Sequence, residues 1–314
     1  MYTALNALPG DGGHMSFSEV RTISTYFLVV CSASLLIRST EASLPTPVQI
    51  TNLGGVSGPL SVSPVGEKLL VKGSSNTLIL SLAGTPLDTV GSQSGSYDWT
   101  QDGTRLVAGD RGSIAVVDPQ INIFEPFPGP AVNNGISWSP LGNGAVYQDS
   151  DLGLMFFSYP SGSVAAIPCS DPDATGCEGE WPSFSGDGAW IAFEDGTQIL
   201  RVSAGGGTAE TVVDLPGDVT TPAYSPDGHW IAFSRTVVGE ENNLWVCDAR
   251  GTHFALVQLT EGTYRDVFPD WSPDSRDIYF ISDRSGPFEV WKVTFDGSVP
   301  ALPMTWGRIK ARFQ

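Results

Sequence analysis

Carboxylates supply most of the chemistry that this sequence could perform. Among 314 residues, 34 are Asp or Glu against 16 Lys or Arg, a formal charge of −18, with three His and four Cys. So few histidines leave little material for a transition-metal centre, which draws on clustered His and Cys side chains. His229 follows a turn glycine and His253 precedes an outer strand, so both read as surface residues. Cys247 lies in the apolar stretch Leu244-Trp-Val-Cys-Asp248 without a neighbouring histidine, and reads as a small buried hydrophobe rather than a nucleophile. The sequence contains no Gly-x-Ser-x-Gly nucleophile elbow. Oxygen chemistry remains. A glycosidase would need two carboxyls at a defined separation, and no pair is singled out. Asp171-Pro-Asp-Ala-Thr-Gly176, with Glu178 and Glu180 close behind, has the opening cadence of a calcium loop, which makes Asp171, Asp173 and Glu178 a candidate calcium set. Position twelve of that loop is Pro182, which cannot supply the bidentate carboxylate, so a solvated acidic loop is the default and no other cofactor is expected. Cys169 and Cys177 bracket the loop and are expected to pair in an oxidising compartment, stabilising by about 2–3 kcal/mol.

The same charge excludes some partners. A surface this acidic repels phosphate backbones and anionic lipid heads, so neither nucleic acid nor a membrane surface is expected as a partner. Hydrophobic residues at 41% and charged residues at 16% are ample for a core, and 36 Gly, 23 Pro and nine Trp suit turns and short strands better than long helices. Residues 1–42 read as an N-terminal extension and signal peptide. The apolar run Ile23 to Ile37 follows Arg21 and leads to Thr40-Glu41-Ala42, a small-x-small cleavage site before Ser43. Met15 is an alternative start, and an uncleaved anchor is an alternative fate. A lipoprotein reading through Cys31 is opposed by the bulky Val30 before it. A periplasmic or secreted protein follows, with no stable membrane insertion after cleavage.

From about residue 48 the chain repeats itself. The clearest copies are Pro222-Ala-Tyr-Ser-Pro-Asp-Gly-His-Trp-Ile-Ala-Phe233, Pro269-Asp-Trp-Ser-Pro-Asp-Ser-Arg-Asp-Ile-Tyr-Phe280 and Pro182-Ser-Phe-Ser-Gly-Asp-Gly-Ala-Trp-Ile-Ala-Phe193. The anchors Ser63, Thr100, Ser139, Ser185, Ser225 and Ser272 stand 37, 39, 46, 40 and 47 residues apart, the period of a four-stranded propeller blade. An aromatic usually precedes the anchor, and Pro-Asp-Gly or a variant then makes a tight turn. The fold class is therefore all-β, a β-propeller of four-stranded antiparallel blades. Six closed blades are preferred, with Val48 to Thr51 completing blade six; a seventh blade missing after Gly307 is the alternative. The propeller is placed at 43–307 and a basic tail at 308–314.

The Ser-Pro-Asp-Gly anchor, the following Ile-Ala-Phe, the later Asn-Leu-Trp-Val-Cys-Asp-Ala-Arg-Gly and Ser282-Asp-Arg-Ser-Gly286 resemble the TolB-like, WD40-related β-propeller family. The resemblance is strong over residues 180–297 and faint over 50–170. It implies an extracytoplasmic propeller that binds proteins or peptides. Propellers work through loops at one mouth of the central channel. Those loops put Tyr97, Asp98, Asn133, Asn134, Glu180, Asp218, Arg265, Asp266, Asp283 and Arg284 at the expected binding mouth. A monomeric, non-catalytic binding platform is the expectation; a propeller lyase or hydrolase acting on a carbohydrate or peptide is the alternative.

Overall fold

The computed structural model describes residues 44–297, except 91–94, 121–122, 133, 170–176, 238, 240 and 251–254. Residues 1–43, which carry the expected signal peptide, and residues 298–314, which carry the Pro300 to Gly307 stretch and the expected basic tail, lie outside the described residues.

The anchor hydroxyls explain the turns. Ser185, Ser225 and Ser272 donate to Asp187, Asp227 and Asp274 at 2.6, 2.5 and 2.6 Å, and Thr100 donates to Asp102 at 2.7 Å. The same oxygens accept the N–H five residues on, from Trp190, Trp230, Asp277 and Arg105. Each hydroxyl thus ties the turn to the start of the second strand. Donation by the hydroxyl holds the Asp102, Asp187 and Asp274 carboxyls below the usual aspartate value. The turn closes on a left-handed residue, Gly228 at φ 72° for example, and blade 6 places Ser275 there at 58°. These residues are structural.

Six antiparallel sheets result, and no helix occurs among the described residues. Their inner strands are Ser57–Val62, Ser96–Trp99, Ile136–Trp138, Glu180–Phe184, Asp218–Tyr224 and Asp266–Trp271. Each inner strand abuts the next, and the last abuts the first, which makes a ring of six blades. Five sheets have four strands. In blade 2 one 13-residue strand, Leu106–Asp118, pairs Ser96–Trp99 through its first part and Ile123–Ala131 through its second. It serves as both middle strands.

Alternation along each second strand divides its side chains between two inter-blade cores. Ile278 and Phe280 face blade 5, whereas Tyr279 and Ile281 face blade 1. Ile231 and Phe233 pack toward blade 4, while Ala232 packs toward blade 6. Burying each large side chain of this kind stabilises by roughly 1.5–3 kcal/mol. Cys247 joins the core between blades 4 and 5, and burial pushes its thiol far above the ordinary value. Cys169 and Cys177 form a disulfide, as expected from the sequence.

The ring closes as the six-blade count requires. Val48–Gln49 pairs antiparallel with Glu289–Thr294, Val48 opposite Lys292 and Gln49 opposite Trp291. Glu289, 1% exposed, locks the join. It accepts the Thr51 hydroxyl at 2.5 Å and the Leu53 and Gly54 N–H groups at 2.8 Å each. Truncating it removes the partner of the buried Thr51 hydroxyl and of two less buried N–H groups, so Glu289→Ala is expected to cost about 2–4 kcal/mol, with Glu289→Gln costing less. Urea unfolding at neutral pH measures both.

Candidate functional site

The inner strand of each blade turns an unpaired edge toward the channel, and such an edge needs its N–H groups answered. One N–H per blade is decisive, that of the residue just before the anchor. Four of the six are answered from the preceding blade. Trp138 N–H reaches Asp98 at 2.6 Å, Phe184 reaches Ser137 at 3.2 Å, Tyr224 reaches Ser183 at 3.0 Å, and Val62 reaches Asp270 at 2.6 Å. Trp99 and Trp271 bond instead to their own neighbours Asp98 and Asp270, both at 2.8 Å. Asp98 also accepts the Ser61 hydroxyl at 2.7 Å, and the Trp271 indole reaches the Ala223 carbonyl at 3.0 Å. Every blade junction therefore carries a hydrogen bond at the channel wall. The two aspartates each join their own strand to the next blade.

Two positions further toward the mouth, the backbone takes an unusual form. Trp181, Thr221 and Phe268 have φ of 51°, 52° and 53°, and Gly135 in blade 3 has 78°. Left-handed backbone is costly for bulky or branched residues, about 1–3 kcal/mol each. Pro182, Pro222 and Pro269 follow, and strand pairing slips there in all three blades. This bulge aims the Trp181 and Phe268 rings at each other, with centroids 5.1 Å apart and an edge-to-face angle of 65°. Two glycines make room. A Cβ on Gly58 would sit 2.1 Å from the Phe268 ring, and one on Gly135 would sit 2.8 Å from the Trp181 Cα. Both aromatics line a channel cavity of about 110 Å³, shared with Ser61, Asp98, Ser137 and Asp270. That volume holds several waters or one small polar group.

The residues expected at the mouth divide into groups. Tyr97 and Asp98 line the channel, Tyr97 at 5% exposed, and Asp98 is a junction residue rather than a rim charge. Arg265 pairs with Asp283 at 3.0 Å and lies over the Phe288 ring. Arg284 pairs with the fully buried Asp266 at 2.5 Å, Ser282 donates to the same carboxylate at 2.6 Å, and the guanidinium covers Tyr264. These four residues come together as two ion pairs that fix the blade 6 loops. Asn134 is half-buried and accepts the Trp181 N–H through its carbonyl at 3.4 Å. Glu180 and Asp218 stand with Asp195 near the buried Glu194 at the junction of blades 4 and 5. Glu178 is exposed; Asp171, Asp173 and Asn133 lie outside the described residues. Among the described residues, no three His, Cys, Asp or Glu side chains form a group that could hold a metal ion. Asp270 and Phe268 were not singled out from the sequence. The Trp-Pro and Phe-Pro pairs ahead of the anchors are the signal that points to the mouth.

Burial pushes the Asp98 carboxyl up to about 6 despite its three donors. Asp270 rises to about 7, again by burial, with the Asp98 charge adding to it. Glu194 rises to about 7 by burial, reinforced by Glu180, Asp195 and Asp218. A folded value above the unfolded one means that the native state holds the extra proton. The contribution of these groups is fully present below the unfolded aspartate value near 4 and is lost as pH rises through 6 to 7. The turn aspartates act oppositely, losing their contribution as pH falls through their lowered values. The urea midpoint is expected to decline from about pH 5 to about pH 8, with a shallower decline in Asp98→Asn/Asp270→Asn. Parallel profiles for the two proteins would remove the channel carboxyls as the cause.

Known proteins share this fold. A family model described as the TolB beta propeller domain matches residues 180–311. An uncharacterized protein of Agrobacterium fabrum is 51% identical over 41 residues, a stretch covering 13% of this chain and 14% of that protein. A solved protein assigned as TolB from Agrobacterium tumefaciens superposes with a TM-score of 0.58 at 18% identity, covering 81% of this chain and 99% of the other. TolB from Acinetobacter baumannii gives 0.55 at 18% identity, over 77% and 65% of the two chains. An oligogalacturonate lyase in complex with manganese gives 0.52 at 14% identity, over 82% and 95%. At such identities the three superpositions speak to fold alone. Residues 180–311 are thus similar to the TolB beta propeller domain, and the described ring as a whole has the six-bladed propeller fold of these solved proteins.

Proposed function

We propose that the protein is an exported, monomeric binding platform in the cell envelope or secretome, taking a protein or peptide ligand at the Trp181–Phe268 mouth. One observation carries this reading. Two large aromatics are held on costly left-handed backbone, in contact across the channel; Phe268 also packs against the core between blades 6 and 1, whereas Trp181 joins none of the inter-blade cores. Aromatic side chains of this kind are typical anchors for a peptide partner, because they bury much area with little loss of rotamer freedom. The carboxylates below them are already bonded to main-chain N–H groups, a structural duty that suits a rigid receptor. The apolar run Ile23 to Ile37, read as a leader, supports export, the acidic composition disfavours nucleic acid, and the likeness of residues 180–311 to the TolB propeller domain supports a protein-binding role.

The enzyme alternative rests on a different observation, the raised values of Asp98 and Asp270 in one cavity. An affinity capture from envelope extract separates the readings. The full-length protein is expected to retain a partner that Trp181→Ala/Phe268→Ala loses by roughly tenfold or more, with similar thermal melting. Equal capture by both proteins would overturn the mouth as the binding face. Turnover of a glycan or peptide by the wild type, abolished in Asp98→Asn/Asp270→Asn, would favour the enzyme.

A further inference from the structure

The channel below the aromatic pair carries negative charge without a counter-charge. Asp98 and Asp270 both line the cavity, and none of its lining residues is Lys, Arg or His. They belong to blades 2 and 6 and flank blade 1, whose Ser61 hydroxyl and Val62 N–H bond to one and the other. An ionised carboxylate offers about four acceptor sites. Asp98 uses three, for Ser61, Trp99 and Trp138, and Asp270 uses two, for Val62 and Trp271. Acceptor capacity therefore remains on both, and the donors already present are dipoles rather than charges. The Asp98 charge adds to the upward push that burial exerts on Asp270.

The occupant that answers this arrangement is an organic cation. Calcium wants six to eight oxygens, and among the described residues no three His, Cys, Asp or Glu side chains gather to hold a metal ion, the cavity offering only two carboxylates. A guanidinium differs. It brings several donors in one plane, binds carboxylates at short range, and stacks on aromatic rings such as Trp181 and Phe268 at the entrance. We infer that the channel is a receptor for a single arginine side chain of a peptide ligand, its guanidinium meeting Asp98 and Asp270 and its stem passing the Trp181–Phe268 rings. This rests on the peptide-binding reading and supplies its recognition chemistry.

The test follows the Trp181 indole N–H by NMR in the full-length protein, assigned through Trp181→Phe. Three probes are titrated separately: the blocked tripeptide Gly-Arg-Gly, its Gly-citrulline-Gly counterpart, and calcium chloride. Citrulline keeps the shape of arginine and removes the charge. The arginine peptide is expected to bind roughly tenfold or more tighter than the citrulline peptide, and Asp270→Asn to abolish most of that difference. Phe268→Leu, which leaves both carboxylates in place, is expected to weaken the arginine peptide; if Asp270→Asn does not fold, this variant and the two-peptide comparison decide. Equal binding of the two peptides would overturn the arginine assignment and leave the mouth as a peptide site. Displacement of the arginine peptide by calcium would overturn it in favour of a metal ion. No response of the indole to either peptide would overturn both this assignment and the peptide-binding reading.

Discussion

Six inner strands face one channel with unpaired edges, and the structure depends on how those edges are answered. A free N–H at the centre of a packed ring costs as much as a lost hydrogen bond. Ser137 and Ser183 answer for the blades after them, and two aspartates do double service at the junctions where Ser61 donates and Ala223 has no side-chain acceptor. The latch residues stand directly beside the aromatics that fill the inter-blade cores. Holding the channel wall and packing the blades are therefore one constraint, acting on consecutive residues of the same strand.

The same constraint sorts the carboxylates. Aspartates in the anchor turns are near solvent, accept a hydroxyl and are held low; aspartates on the channel wall are half-buried, lose part of their hydration and are pushed up. One residue type thus serves two opposite electrostatic roles within a blade, four positions apart in blades 2 and 6. Glu289 uses a third setting, where a buried carboxylate gathers donors from the first residues of the ring and closes it. Above the channel aspartates, the bulges that carry Trp181 and Phe268 exist because Pro cannot donate to the ladder and the strand must slip around it. Channel chemistry and mouth shape follow from neighbouring positions of one repeat.

Much of this was legible in the sequence. The anchor period, the turn residues, closure by Val48 to Thr51 and the Cys169–Cys177 pair all depend on local spacing or simple repetition, and the structure agrees on each. The site was legible in part. Asp98 was placed on the rim because it stands at the start of a blade, yet its direction into the channel depends on strand register, which spacing does not reveal. Asp266 and Arg284 read as separate charges but form a buried pair across a hairpin, 18 residues apart in the chain. Phe268 and Trp181 come from blades 4 and 6, and only closure of the ring brings them together.

Amide hydrogen exchange at Val62, Trp99, Trp138, Phe184, Tyr224 and Trp271 tests the latch ring most directly. Each of these six residues directly follows one that lines a cavity large enough for water, so without its hydrogen bond its N–H would exchange at the rate of a solvated strand edge. Protection approaching that of the blade cores, lost at Val62 and Trp271 in Asp270→Ala, is the result expected. Exchange at loop rates in the wild-type protein would contradict a channel wall held by these hydrogen bonds.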